Sequence, residues 1–154
     1  MKGLLVGLLL AAASLQAYAV DVTTEANEGR HGEVQLRVGP RFDLSEHWAI
    51  DTGLSVIKYE NFQKEVGVAD VTVQHRNRWG KVYLDIGTGL AMWSAKNWDL
   101  QKSETQWTFS NRFGAGLQLT KTSEVGLVWR HYSNLCYTPN TSKDFLGLHA
   151  AFHF

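Results

Sequence analysis

The sequence predicts an all-β protein, an eight-stranded antiparallel transmembrane β-barrel, and three observations carry that prediction. Several segments alternate apolar and polar residues with period two, the mark of strands whose faces meet different surroundings. The second face of each segment is charged or glycine-rich, the reverse of a soluble barrel that holds an apolar ligand, so the large apolar side chains point outward to lipid. Eight such segments can be delimited, and single-chain barrels of the outer-membrane type require an even number.

Residues 1–19, "MKGLLVGLLLAAASLQAYA", hold one lysine, an apolar run over 4–13 and then Ala17-Tyr18-Ala19, a small-x-small pattern of the kind signal peptidase cuts. The run is too short to span a bilayer, so a cleaved export signal is expected, followed by one barrel domain over 20–154. The first strand, 20–27, alternates only weakly. In 31–42, Val34, Leu36 and Val38 face one way and Glu33, Gln35 and Arg37 the other. In 47–58, Trp48, Ile50, Leu54 and Val56 oppose Ala49, Asp51, Gly53 and Ser55. A fourth strand spans 66–76. In 80–92, Val82, Leu84, Ile86, Leu90 and Met92 oppose Tyr83, Asp85, Gly87, Gly89 and Ala91. In 105–119, Phe113, Ala115, Leu117 and Leu119 oppose Gly114, Gly116 and Gln118, and strands 124–134 and 144–154 complete the set.

Short connections at 43–46, 77–80 and 120–123 alternate with longer ones at 59–65, 93–104 and 135–143, as short periplasmic turns and external loops would; the first, near 28–30, is short as well. The chain ends "LGLHAAFHF", with Phe152 and Phe154 on one face, which resembles the C-terminal recognition signal of bacterial outer-membrane proteins. The expected location is the bacterial outer membrane.

Composition removes other classes. The formal net charge is zero, which argues against nucleic acid as a partner. Cys136 is the single cysteine, so no intrachain disulfide can form, and no cluster of carboxylates or histidines has metal-ligand spacing, so no cofactor is expected.

The segment "RHYSNLCYTPNTSKDF" carries the chemistry. Along 124–134, Val125, Leu127 and Trp129 share parity with His131 and Ser133, while Arg130 and Tyr132 take the other face. Counting back from Phe154, the outward residues of the last strand are Phe152, Ala150, Leu148, Leu146 and Asp144. Antiparallel pairing across the 135–143 loop brings Asp144 beside His131 at the outer rim. Residues i and i+2 of a strand are about 6.7 Å apart along its axis, a gap an imidazole can lean across. Asp144 could then hold one ring nitrogen of His131 while the other takes the Ser133 proton, the constellation of acyl transfer. A polar rim beside an aromatic girdle is the plainer alternative, but a polar trio on one lipid-facing patch is costly unless used.

These residues resemble the PagL family of outer-membrane lipid A 3-O-deacylases. The likeness covers most of the chain after the signal, through "FSNRFGAGLQL" and "HYSN…PN…D" to the last strand. It implies a serine esterase that removes the 3-hydroxyacyl chain at position 3 of lipid A, within lipopolysaccharide, without a metal. Carried onto this sequence, the base is His131, the nucleophile Ser133 and the acid Asp144, shorter than the glutamate common in the family. Asn134 and Asn140 would organise the loop and the oxyanion hole, and Phe109 would pack near the site.

Lys58, Lys64, Lys96, Lys102 and Lys143 fall in or beside the external loops, where they could meet lipid A phosphates or simply form a solvated rim. Arg37, Asp51, Asp85, Arg112 and Arg130 are expected to form ion pairs in the lumen. Two other functions remain open: a non-enzymatic structural or adhesion barrel, and a lipid A acyltransferase with its site in the lumen. The sequence also leaves a homodimer open.

Overall fold

The computed structural model describes residues 20–59, 64–95, 106–134 and 142–154. Eight strands, β1 Val20–Gly29, β2 Val34–Asp43, β3 Trp48–Tyr59, β4 Lys64–Trp79, β5 Val82–Trp93, β6 Trp107–Thr120, β7 Ser123–Ser133 and β8 Ser142–His153, close in sequence order. Each pairs antiparallel with its neighbours, and β1 pairs with β8. Closure leaves no sheet edge, as a barrel must in lipid, where an unpaired backbone group has no water to bond.

The two faces fall as the alternation requires. Leu36, Leu127 and Leu148 are 61, 59 and 65% exposed, whereas Gln35 and Arg130 are fully buried. Trp48, Trp79 and Phe154 are exposed toward one end of the barrel, and Trp107, Phe109 and Trp129 toward the other. Two aromatic girdles thus bracket the apolar band.

The lumen is filled in two tiers. Toward the end that carries the β3–β4, β5–β6 and β7–β8 connections, Ile57, Tyr59, Val66, Val68, Ala91, Trp93, Tyr132 and Phe145 form a buried apolar cluster. Below it Arg37 grips Asp70 with two bonds of 3.0 and 2.8 Å, Arg130 holds Glu25 at 2.6 and 2.9 Å, and Arg112 bonds Asp85. The five expected lumen residues all join this network. Glycine pairs make room for it: a Cβ on Gly126 would collide with the Ala115 carbonyl oxygen and meet the Tyr83 hydroxyl at 2.6 Å.

Three boundaries differ from expectation. β2 begins at Val34, because Gly32 adopts φ 79° and Gly29 N–H bonds Glu33 O at 2.6 Å, a tight turn that occupies 30–33. β4 runs sixteen residues, so the β3–β4 connection is only 60–63 rather than the long loop expected at 59–65. Its ends, with Glu65, Arg76, Asn77 and Arg78, are rich in polar residues, and backbone pairing continues past the apolar band where alternation fades. β1 is a full strand despite its weak signal, because its outward residues include Thr24, Ala26 and Glu28 rather than large apolar ones.

Candidate active site

The outward face of β7 ends in Trp129, His131 and Ser133, and the register places Asp144 directly opposite His131. The Asp144 Oδ1 atom lies 2.9 Å from His131 Nδ1. With Nδ1–H donated to the carboxylate, Nε2 presents its lone pair away from Asp144. The imidazole also stacks on Trp129, ring centroids 5.6 Å apart and planes inclined by 23°. An acid and an aromatic face therefore fix this ring. Both side chains keep partial exposure, 27% for His131 and 44% for Asp144, on the lipid-facing wall.

On β6, Phe109 stands opposite Ser133 and Asn111 opposite His131. Asn111 in turn faces Thr88 of β5, whose hydroxyl donates to Asn111 Oδ1 at 2.8 Å. Thr88, Asn111, His131 and Asp144 thus form a polar row across four strands at one level of the outer wall. The first two were not singled out from sequence. The parity of Phe109 and Phe113 puts Asn111 outward, so the signal was present in "FSNRF".

Side chains of opposite parity brace the site from inside. Tyr132, between His131 and Ser133, accepts a 2.9 Å hydrogen bond from Gln35 and meets Trp93 and Phe145 edge-on at 5.2 and 6.0 Å. Asn134 is buried just past β7, whereas Asn140, Lys96, Lys102 and Cys136 lie outside the described residues. Lys58 is exposed at the rim. Lys143 is a correction: its parity turns it inward, where it pairs with the Glu33 carboxylate and sits 5.3 Å from the Tyr59 ring centroid, so it does not face lipid headgroups.

Two apolar grooves descend the outer wall beside β7. One, of about 790 Å³, touches Ile86, Thr88, Asn111, Phe113 and Trp129; the other, of about 700 Å³, is floored by Ala26, Ala115, Gly126 and Ala150. A smaller cleft of about 380 Å³ lies between β7, β8 and the β1–β2 turn, lined by Glu28, Arg30, Trp129, Asp144 and Leu146.

The fold is that of an outer-membrane β-barrel, and its outer wall carries an acid–histidine pair beside a serine. The family model of lipid A 3-O-deacylase (PagL) matches residues 30–153, and the chain belongs to that family. It is also similar to a crystal structure of the outer membrane enzyme PagL, at 18% identity and TM-score 0.74, over 86% of this chain and 98% of that one. The barrel is shared more widely. The N-terminal domain of Pseudomonas aeruginosa OprF superposes at TM-score 0.64 with 13% identity, over 88% of this chain and 97% of that one. Neisserial surface protein A does so at 0.59 with 8% identity, over 89 and 96%. Among curated protein sequences none matches. At these identities the structural likenesses speak for the fold, and the family model speaks for the enzyme.

Proposed function

We propose that this chain hydrolyses the ester-linked 3-hydroxyacyl chain at position 3 of lipid A through Ser133, His131 and Asp144, after removal of residues 1–19 as an export signal. The observation that carries the reading is the 2.9 Å His131–Asp144 contact on the lipid-facing wall, one strand step from Ser133. An ester at the headgroup boundary of the outer leaflet meets this wall without leaving the membrane.

In this mechanism Asp144 holds the Nδ1–H, and His131 Nε2 takes the Ser133 proton as the serine oxygen attacks the ester carbonyl. Asn134 and Asn140 shape the loop whose donors meet the developing oxyanion. Collapse of the tetrahedral intermediate breaks the bond to the sugar oxygen, which His131 protonates, leaving the hydroxyacyl group on Ser133. Water, deprotonated by His131, then attacks the acyl-enzyme, releasing the 3-hydroxy fatty acid and restoring the serine. The groove reaching Trp129 and Asn111 offers an apolar bed beside the site for an acyl chain.

The two rivals explain less. A structural barrel has no use for a polar row on its lipid face. An acyltransferase with a lumenal acyl pocket needs an open interior, and here the lumen holds the aromatic cluster and the ion network. Lipid A recovered from outer membranes bearing wild type or Ser133→Ala tests the reading by mass spectrometry. Wild type is expected to remove one hydroxyacyl chain, and the variant, heat-modifiable and present at equal level, to remove none. Equal deacylation by Ser133→Ala would refute the mechanism.

A further inference from the structure

The cleft on the far side of Asp144 from His131 has no part in the acyl-transfer steps. Its floor is Trp129 and Leu146, which face each other across β7 and β8, and its rim is the β1–β2 turn with Arg30. Arg37, Arg41, Arg76, Arg78, Arg112 and Arg130 all hold carboxylates, whereas among the described residues Arg30 has no ion-pair partner. Lys143, nearby, is taken by Glu33. The remaining exposed cation described at this rim, Lys58, stands on β3, two strands beyond β1.

We infer that this cleft binds a phosphate carried by the lipid substrate, with Arg30 as the group that contacts the anion. The inference rests on the deacylase reading and extends it to substrate selection. Three features argue for it. An apolar floor beneath a guanidinium suits a lipid whose anionic headgroup sits at the membrane surface, and Arg is the side chain that meets phosphate with two parallel bonds. The span from β7, which bears Ser133, across β8 to β1 is two interstrand spacings, about 10 Å, a distance a phosphorylated sugar bridges. Of the two carboxylates that line the cleft, Asp144 is turned to His131, and Glu28, opposite Leu146, lies one strand step deeper than Arg30.

Glu28 gives the inference a second sign. It lines the same cleft, so its charge opposes anion binding, and removing it strengthens what removing Arg30 weakens.

The test is steady-state deacylation in detergent micelles by wild type, Arg30→Ala, Arg30→Lys and Glu28→Gln. Each is assayed on phosphorylated lipid A and on the same lipid stripped of its phosphates. On the phosphorylated lipid, Arg30→Ala is expected to raise KM about tenfold with kcat unchanged, Arg30→Lys to raise it less, and Glu28→Gln to lower it. On the stripped lipid all four proteins share one raised KM. Equal KM shifts for Arg30→Ala on both lipids, or no shift on either, would overturn the inference. Inorganic phosphate bound by wild type and not by Arg30→Ala, with the KM for phosphorylated lipid the same in both proteins, would assign the cleft to free phosphate and also overturn it. If wild type deacylates neither lipid, the deacylase reading fails, and the cleft is then judged by binding alone. Tighter retention of phosphorylated lipid by wild type than by Arg30→Ala supports it, and equal retention sinks it.

Discussion

At the scale of the residue, the parity of one strand was enough to bring His131 and Ser133 to the lipid-facing wall, and counting back from Phe154 was enough to bring Asp144 beside them. Both deductions need only that side chains alternate and that neighbours pair, which the observed register satisfies. The Thr88–Asn111 pair was harder to see because it depends on β5, a strand whose register to β6 no sequence spacing announces. Asp144 is the informative position. Its carboxylate lies 2.9 Å from His131 Nδ1, so the shorter acid reaches the ring across this backbone spacing. Asp144→Ala is expected to lower kcat roughly 10²–10⁴-fold, because in the proposed mechanism the acid orients and stabilises the imidazolium without bonding to substrate. Asp144→Glu should fall between wild type and Asp144→Ala, since the added methylene must fold back to recover the contact. Rates of hydroxyacyl release from the purified variants check the order, and a glutamate variant as fast as wild type would show the site indifferent to acid length. His131→Ala and Ser133→Ala should each abolish turnover, and the double variant should be no worse than either, because members of one catalytic unit are not additive.

At the scale of the element, the strands were legible where their outer face is large and apolar and illegible where it is not. β1 shows Thr24, Ala26 and Glu28 to the outside, and the ends of β4 are rich in polar residues, so neither produced the alternation that its backbone pairing obeys. The turn before β2 was visible only as a glycine, and the left-handed backbone at Gly32 is what moved the strand start to Val34. This turn is tied to the active-site strand by Glu33, whose carboxylate accepts from Lys143, the neighbour of Asp144, and from the His31 N–H at 2.9 Å. Burial pushes the Glu33 carboxyl up, but these hydrogen bonds outweigh it and hold the group below its ordinary value. A carboxylate depressed in this way stabilises the fold above its unfolded value of about 4.3, and the contribution disappears as pH falls through the lower folded value. Wild type should therefore exceed Glu33→Gln in unfolding temperature by a constant margin between pH 5 and 8, worth about 1 kcal/mol, and the margin should shrink in stronger acid. Heat-modifiable gel mobility across that range measures it. A margin that vanishes near neutral pH would mean the clasp contributes through shape rather than charge.

At the scale of the whole molecule, the inside-out polarity predicted that the lumen would be ionic, and it named Arg37, Asp51, Asp85, Arg112 and Arg130. The partners were not readable, because which arginine meets which carboxylate is set by the stagger of strands around the closed barrel, not by any spacing along the chain. Glu25, in the weakly patterned β1, turns out to be a hub: Arg130 bonds it at 2.6 and 2.9 Å, Arg112 at 3.3 Å, and Arg37 approaches to 3.9 Å. Three guanidiniums buried beneath the aromatic cluster lose a shared counter-charge when that carboxylate is removed. Arg37 and Arg130 keep Asp70 and Asp51 within 3.5 Å, and Arg112 keeps Asp85, so the network loses its balance of charge rather than all of its contacts. Glu25→Ala is accordingly expected to destabilise the barrel by about 3–5 kcal/mol, the usual consequence of stripping one partner from a buried ion pair. Removing Arg130 as well, in Glu25→Ala with Arg130→Met, should recover much of that loss, because an apolar side chain of similar length needs no counter-charge. Urea unfolding in lipid vesicles, followed by the heat-modifiable gel shift, compares the three proteins. If the double variant is less stable than Glu25→Ala, the lumen depends on the ionic contacts themselves and not on the cancellation of their charge.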